Sequence, residues 1–214
     1  MEWEKLQLYF STARLARYLQ ESQGDKHQAI QYYISNIKLS ESFVPVFSVI
    51  EISLRNSLNY SLQKFYQRWD WYESWKGDLI FKDLYTEIIN VKSRIRSDDV
   101  NKIIAELTFG FWTALFNIKY EVLLWKSLRL AFPYCPKTLR KRKAISSSLN
   151  KIRRLRNRIF HHEPVLWVTP PIDEYHTECY KLLNWLVPDL SCWVSQFDRF
   201  PEVWQSIEYV SPVN

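Results

Sequence analysis

The stretch that decides the fold is "KTLRKRKAISSSLNKIRRLRNRIFHHEP", residues 137–164. On a helical wheel of about 100° per residue with Ile145 at zero, Leu149, Ile152, Leu155 and Ile159 fall at about 40°, 340°, 280° and 320°. These four residues form one apolar stripe, so the segment reads as an amphipathic helix from about Thr138 to His161. Arg154 and Arg158, at about 180° and 220°, face away from the stripe. Arg156, at about 20°, lies inside it, and a solvated face cannot account for that. An arginine aimed at a core or cleft needs a carboxylate, a phosphate or backbone carbonyls as partner. Pro164 disfavours helix at Glu163 and stops the element just past His161 and His162.

The same period recurs along the chain. A first helix is expected over about residues 3–21, with Leu6, Leu8, Phe10, Leu15 and Leu19 as core. Asp25 is placed to cap a second, running to about Leu39. Ser40 or Ser42 is placed to cap a third, with Pro45 in its first turn and an end near Tyr66. Its stripe is Phe43, Phe47, Ile50, Leu54, Leu58, Leu62 and Phe65. Further helices are expected over about 82–96 and, capped by Ser97 or Asp98, over 99–106. Two short ones break near Asn117 and end by Pro133. Another covers about 172–187 and could continue past Pro188 to Phe197. No strand, repeat or low-complexity linker is evident. Only three glycines are present, which leaves little material for hairpins. The expectation is an all-α helical bundle in one domain, 1–214.

With 47% hydrophobic and 24% charged residues, the chain can bury a core and is not a disordered one. No apolar run is long enough to span a bilayer. The start, "MEWEKLQLYF", lacks the basic-then-apolar plan of a signal peptide. Cys135, Cys179 and Cys192 read as reduced core thiols, not as a disulfide framework or zinc site. The expected setting is therefore cytoplasmic, with no membrane partner. His27 and His176 read as isolated residues without metal-ligand spacing.

Charge is unevenly spread. Twelve of the 29 Lys and Arg residues, and no acidic residue, lie between Glu121 and Glu163. The rest of the chain holds 17 basic against 23 acidic residues. A basic element on a mildly acidic body points to a polyanion such as RNA. The candidate contacts are Arg140, Lys141, Arg142, Lys143, Lys151, Arg153, Arg154 and Arg158. The competing reading is a solvated helix face balanced by acidic neighbours.

Arg156, Asn157 and His161 can be assigned chemistry. Attack of a ribose 2′-hydroxyl on its phosphate needs a base, an acid and positive charge on the crowded phosphorane. His161 can move a proton near neutral pH. Arg156 can hold the phosphate bidentately, and Asn157 can orient the imidazole or the ribose. No metal or other cofactor is needed. On an ideal helix Arg156 and His161 are about 140° apart, so convergence requires the helix to loosen at its end. A second constellation is Glu51, Arg55 and Asn56. Glu51 is placed either to pair with Arg55 four residues on or to anchor Arg156, and Arg55 could add a phosphate contact.

"LRNRIFHHEPV" (155–165) resembles the signature of Abi-like proteins, a branch of the HEPN superfamily whose shared motif is Arg-x4–6-His. "VIEISLRNSLNYSL" (49–62) resembles the family's early Glu-x-x-x-Arg-Asn helix. "LTFGFWTALF" (107–116) resembles its central Gly-aromatic segment. The resemblance implies a HEPN-type bundle with additional helices and metal-independent endoribonuclease activity. It also implies a homodimer with two motifs around one cleft. The implied role is bacterial defence against phage by abortive infection, as a toxin-like effector, with a restraining RNA or protein antitoxin left open. Both Arg156-x4-His161 and Arg156-x5-His162 fit the motif. The alternative is a non-catalytic RNA-binding or partner-binding module of the same type.

Overall fold

The computed structural model describes residues 2–208; residue 1 and residues 209–214 of the expected 1–214 span lie outside the described residues. Every regular element among them is helical, and no strand is present. In chain order the helices are α1 (Trp3–Phe10), α2 (Thr12–Glu21), α3 (Lys26–Tyr66), α4 (Lys82–Ile95), α5 (Val100–Glu106) and α6 (Phe109–Ala114). They are followed by α7 (Glu121–Leu128), α8 (Arg142–Phe160), α9 (Ile172–Leu186), α10 (Pro188–Val194) and α11 (Phe200–Glu208).

The spine is α3. Its 41 residues span about 60 Å at 1.5 Å per residue. Asp25 caps its start by accepting from the His27 and Gln28 amides, as expected. The anticipated break near residue 40 is absent. The Ser42 hydroxyl instead donates back to the Leu39 carbonyl, and Pro45 sits in mid-helix. Proline removes one backbone bond, but the buried row Leu39, Phe43, Val46, Phe47, Ile50, Leu54, Leu58 and Leu62 runs through the site and holds both halves in line. Pro45→Ala is accordingly expected to raise stability by about 1–3 kcal/mol in urea unfolding. A loss would mean that the proline's bend is needed for packing.

Other expectations are corrected too. The first helix divides at Ser11, whose left-handed φ of 66° ends α1 and whose hydroxyl accepts from the Arg14 amide to cap α2. Leu8 and Phe10 are exposed, Leu8 at 76%. Leu6 and Leu15 pack with Trp3, Tyr18, Ala29 and Tyr32 in a small N-terminal cluster, against which Leu19 also rests. Phe65 is exposed as well. Asp99, not Ser97 or Asp98, caps α5. The basic helix starts at Arg142, because residues 136–140 form a turn on the Pro136 carbonyl. Cys135 and Cys179 are buried, but Cys192 is exposed.

The main core gathers α3, α4, α6, α7, α8, α9 and α11 around Phe47, Trp71, Trp75, Trp112 and Leu183. Helix α8 buries Ile145, Leu149, Ile152, Leu155 and Ile159, the stripe read from the sequence. It packs on α6 and α9, while α6 and α9 also pack on α3. This arrangement leaves a cleft between α3 and α8 with α6 beside it.

Candidate functional site

The cleft, about 420 Å³, is lined by three sequence-distant segments. Helix α3 supplies Ser48, Glu51, Ile52 and Arg55. The segment from Ala105 into α6 supplies Leu107, Thr108, Phe109, Gly110 and Trp112. Helix α8 supplies Arg153, Arg156 and Asn157. Each segment contains one of the stretches singled out in the sequence.

Arg156 donates from Nε to Glu51 Oε1 at 2.9 Å. The two side chains are 31% and 27% exposed, so the pair lies on the cleft wall and not in the core. The Arg156 guanidinium also lies 4.4 Å from the Phe160 ring centroid. Its terminal nitrogens have no hydrogen-bond partner among the described residues. Of the two roles open to Glu51, the structure takes the anchoring of Arg156. Arg55 turns instead to Asn56 Oδ1 (3.2 Å) and the Ala105 carbonyl (3.3 Å). Arg153 donates to Asn150 Oδ1 at 3.1 Å. Its Nε is buried without an acceptor, and so is the indole N–H of Trp112.

The two histidines stand apart from this cleft. Helix α8 ends in a Schellman arrangement: the His162 amide donates to the Ile159 carbonyl and the Glu163 amide to the Arg158 carbonyl. His162 is the left-handed residue of that cap, with φ of 56°. Arg14 of α2 donates to the His161 and His162 carbonyls at 3.3 and 2.6 Å, putting a cation at the negative helix end. The His161 ring is exposed and has no polar partner among the described residues. The His162 ring borders a second hollow of about 560 Å³, with Phe10, Tyr33, Ile37, Val44 and Phe160 among its lining. Arg156 and His161 therefore do not converge on one cleft within a single copy of the chain. The helix stays regular to Phe160, so the loosening that convergence required is absent.

A buried asparagine fixes where this helix end points. Asn36 of α3 accepts from the Val165 amide at 2.7 Å and donates to the Glu163 carbonyl at 3.5 Å. No local signal announces this link, because its partners are more than 120 residues away.

The basic residues divide into two groups. Arg140 holds the Cys135 and Pro133 carbonyls, and Arg142 bonds Glu121 Oε2 (2.7 Å) and the Phe116 carbonyl (2.9 Å). Lys151 lies near Glu174 and the Tyr175 ring, and Arg158 near Glu163 and the Pro164 carbonyl. These four cations are engaged within the fold. Lys141, Lys143 and Arg154 are exposed, with no side-chain partner among the described residues.

A further cluster was not legible in the sequence. His176 Nε2 lies 2.6 Å from Asp198 Oδ2, which also accepts from the Tyr180 hydroxyl at 2.7 Å. The other carboxylate oxygen accepts from the Phe200 amide at 3.0 Å. The His176 ring stacks on Phe200 at 4.2 Å. His176 is thus not isolated but part of the anchor that seats α11. Burial pushes the Asp198 carboxyl up, but the hydrogen bonds from His176, Tyr180 and the Phe200 amide, with the His176 charge, outweigh it and hold it below the ordinary range. Burial, and then the bond to Asp198, raises the Tyr180 hydroxyl.

Among the described residues no group of three or more His, Cys, Asp or Glu is gathered for a metal, and no helix is long and apolar enough to cross a membrane. In comparisons with protein-family models, curated proteins and solved structures, no match was found.

Proposed function

We propose that the chain is a metal-independent endoribonuclease of the Abi-like, HEPN type that works as a homodimer on RNA. The observation that carries this reading is the gathering of Arg55, Arg153, Arg156 and Asn157 on one cleft, with Glu51 fixing the Arg156 guanidinium. Glu51 occupies one Arg156 nitrogen and leaves the terminal pair to grip a phosphate. Charge developing on the phosphorane is met by guanidinium groups already in place, which is worth more than charge that must be reorganised. His161, past the end of α8, exchanges the proton. One Arg156–His161 set offers one proton-transfer group, whereas transesterification uses a base and an acid. A two-fold partner supplies the second and brings a histidine toward a cleft that its own chain leaves without one. By the same resemblance, the setting proposed is abortive infection in phage defence, with an RNA or protein antitoxin as restraint.

One observation favours a second reading. The His161 ring stands outside the cleft and has no polar partner among the described residues, which also suits a non-catalytic RNA-binding or partner-binding module.

The test is incubation of the purified chain with single-stranded RNA in a metal chelator. The expected products carry 2′,3′-cyclic phosphate and 5′-hydroxyl ends, and light scattering should report twice the chain mass. Binding should weaken steeply with salt. Reversing Lys141, Lys143 and Arg154 to Glu should flatten the log–log salt slope by about 2, at roughly 0.7 per phosphate contact on a single strand. Intact RNA bound with the same salt slope selects the binding-module reading. Binding indifferent to salt overturns both.

A further inference from the structure

We propose that the α3–α6–α8 cleft is a binding site for a phosphomonoester dianion, of the kind carried by a mononucleotide or by a phosphorylated RNA end. The inference rests on reading the cleft as the anion site, and not on RNA cleavage.

Buried donors carry the argument. Trp112 Nε1 and Arg153 Nε are both buried, and neither has an acceptor among the described residues. Both residues line this cleft. A buried donor left unpaired costs about 1–3 kcal/mol, and such groups in native proteins nearly always find a partner. Two such donors on residues that line one cleft, just behind its surface, favour an acceptor-rich occupant. The remaining polar lining agrees. Indole and guanidinium groups can only donate. Of the acceptors, Glu51 Oε1 is taken by Arg156 and the Thr108 hydroxyl by the Phe111 amide while it donates to Glu87, which leaves Ser48, Asn157 and Glu51 Oε2 against the indole of Trp112 and the guanidinium groups of Arg55, Arg153 and Arg156. A lining in which the remaining donors outnumber the free acceptors selects a ligand made of acceptors, which is an oxyanion.

Charge and size narrow the class. Three guanidinium groups, of Arg55, Arg153 and Arg156, face one carboxylate, that of Glu51. Two positive charges remain, matching a phosphomonoester dianion better than the single charge of a diester link. The volume, about 420 Å³, exceeds what inorganic phosphate needs and lies within the range of small-ligand sites. Ile52, Leu107 and Phe109 add apolar wall against which a sugar or base can rest.

Calorimetric titration of the full chain tests this. The probes are adenosine 5′-monophosphate, inorganic phosphate, adenosine, and a dinucleoside monophosphate with a single diester. The monoester should bind most tightly, phosphate more weakly, the diester at least about tenfold more weakly than the monoester, and adenosine not measurably. The second phosphate pKa is near 6, so moving from pH 7.5 to pH 5 should weaken the monoester about tenfold by removing the dianion. Trp112→Phe keeps an aromatic wall and removes the donor, and should cost about tenfold. Arg55→Met should do the same at a more exposed position, and it carries the test if the Trp112 variant melts early. Equal binding of adenosine and its monophosphate, or wild-type binding by both Trp112→Phe and Arg55→Met, overturns the proposal. A 5′-phosphorylated oligonucleotide that outbinds its 5′-hydroxyl counterpart identifies an RNA end as the source, and equal binding of the two identifies a free nucleotide. Monoester binding without RNA cleavage leaves this site standing and removes the ribonuclease. Cleavage without monoester preference does the reverse.

Discussion

Arg156→Ala is expected to lose RNA cleavage by at least about a hundredfold and to lower stability as well, whereas His161→Ala is expected to lose cleavage equally and to melt with the wild type. The difference follows from what each side chain touches. Arg156 is bonded to Glu51 and lies over Phe160, so its removal leaves a half-exposed carboxylate without its partner. For a pair 31% and 27% exposed, solvent recovers part of the loss, and about 1–2 kcal/mol is expected instead of the 3–5 of a fully buried pair. The His161 ring has no polar partner among the described residues, and its helix-capping role belongs to its backbone. Its replacement should stay within about 0.5 kcal/mol. Loss of one proton-transfer group costs about 10²–10⁴ in rate. Glu51→Gln, which keeps an acceptor but removes the charge, should recover part of the stability lost in Glu51→Ala. His162→Gly should keep activity and gain about 1 kcal/mol, because glycine takes the left-handed φ of 56° without strain. Cleavage by His161→Ala but not by His162→Ala would falsify the x4 register. Cleavage by both variants would remove the HEPN-type reading, because neither histidine would then move the proton.

Asp198→Ala should be the most destabilising substitution, at about 3–5 kcal/mol in urea unfolding. The carboxylate is 2% exposed and receives the His176 ring, the Tyr180 hydroxyl and the Phe200 amide. Alanine would strand three groups at once where α9 meets the start of α11. Asp198→Asn keeps the acceptor but not the charge and should cost roughly half as much. The pH dependence has a definite sign. The folded carboxyl lies below its ordinary value, so its contribution is fully present above the unfolded pKa of about 3.9 and is lost as the pH falls through the lower folded value. Wild type should therefore lose stability in that acid window faster than Asp198→Asn does. Parallel curves for the two proteins would show that the carboxylate charge contributes nothing.

The sequence by itself determined that the regular elements among the described residues are helical. Periodicity at 3.6 residues is a local property, and the stripe of α8 appears in the structure residue for residue. It also marked Arg156 as the one arginine of its helix face that needs a partner, and Glu51 as a candidate. Local signals failed where long-range packing outweighed them. Serine and proline near residue 42 read as a helix start, yet the buried row of α3 carries the helix through. Leu8 and Phe10 fit an amphipathic period, but the break at Ser11 turns that face away from the core.

Only the tertiary structure decided which cations are free. Arg140 and Arg142 look on the sequence like the exposed Lys141 and Lys143, but carbonyls and a carboxylate 5 to 26 residues away take them up. Only folding brought Trp112 and Arg153 to one cleft, and only folding left His161 outside the cleft that Arg156 lines. Helical period is set by neighbours three and four residues apart, and a sequence displays it. A cleft is set by which helices meet across 50 to 100 residues, and for that the sequence offers candidate side chains without their distances.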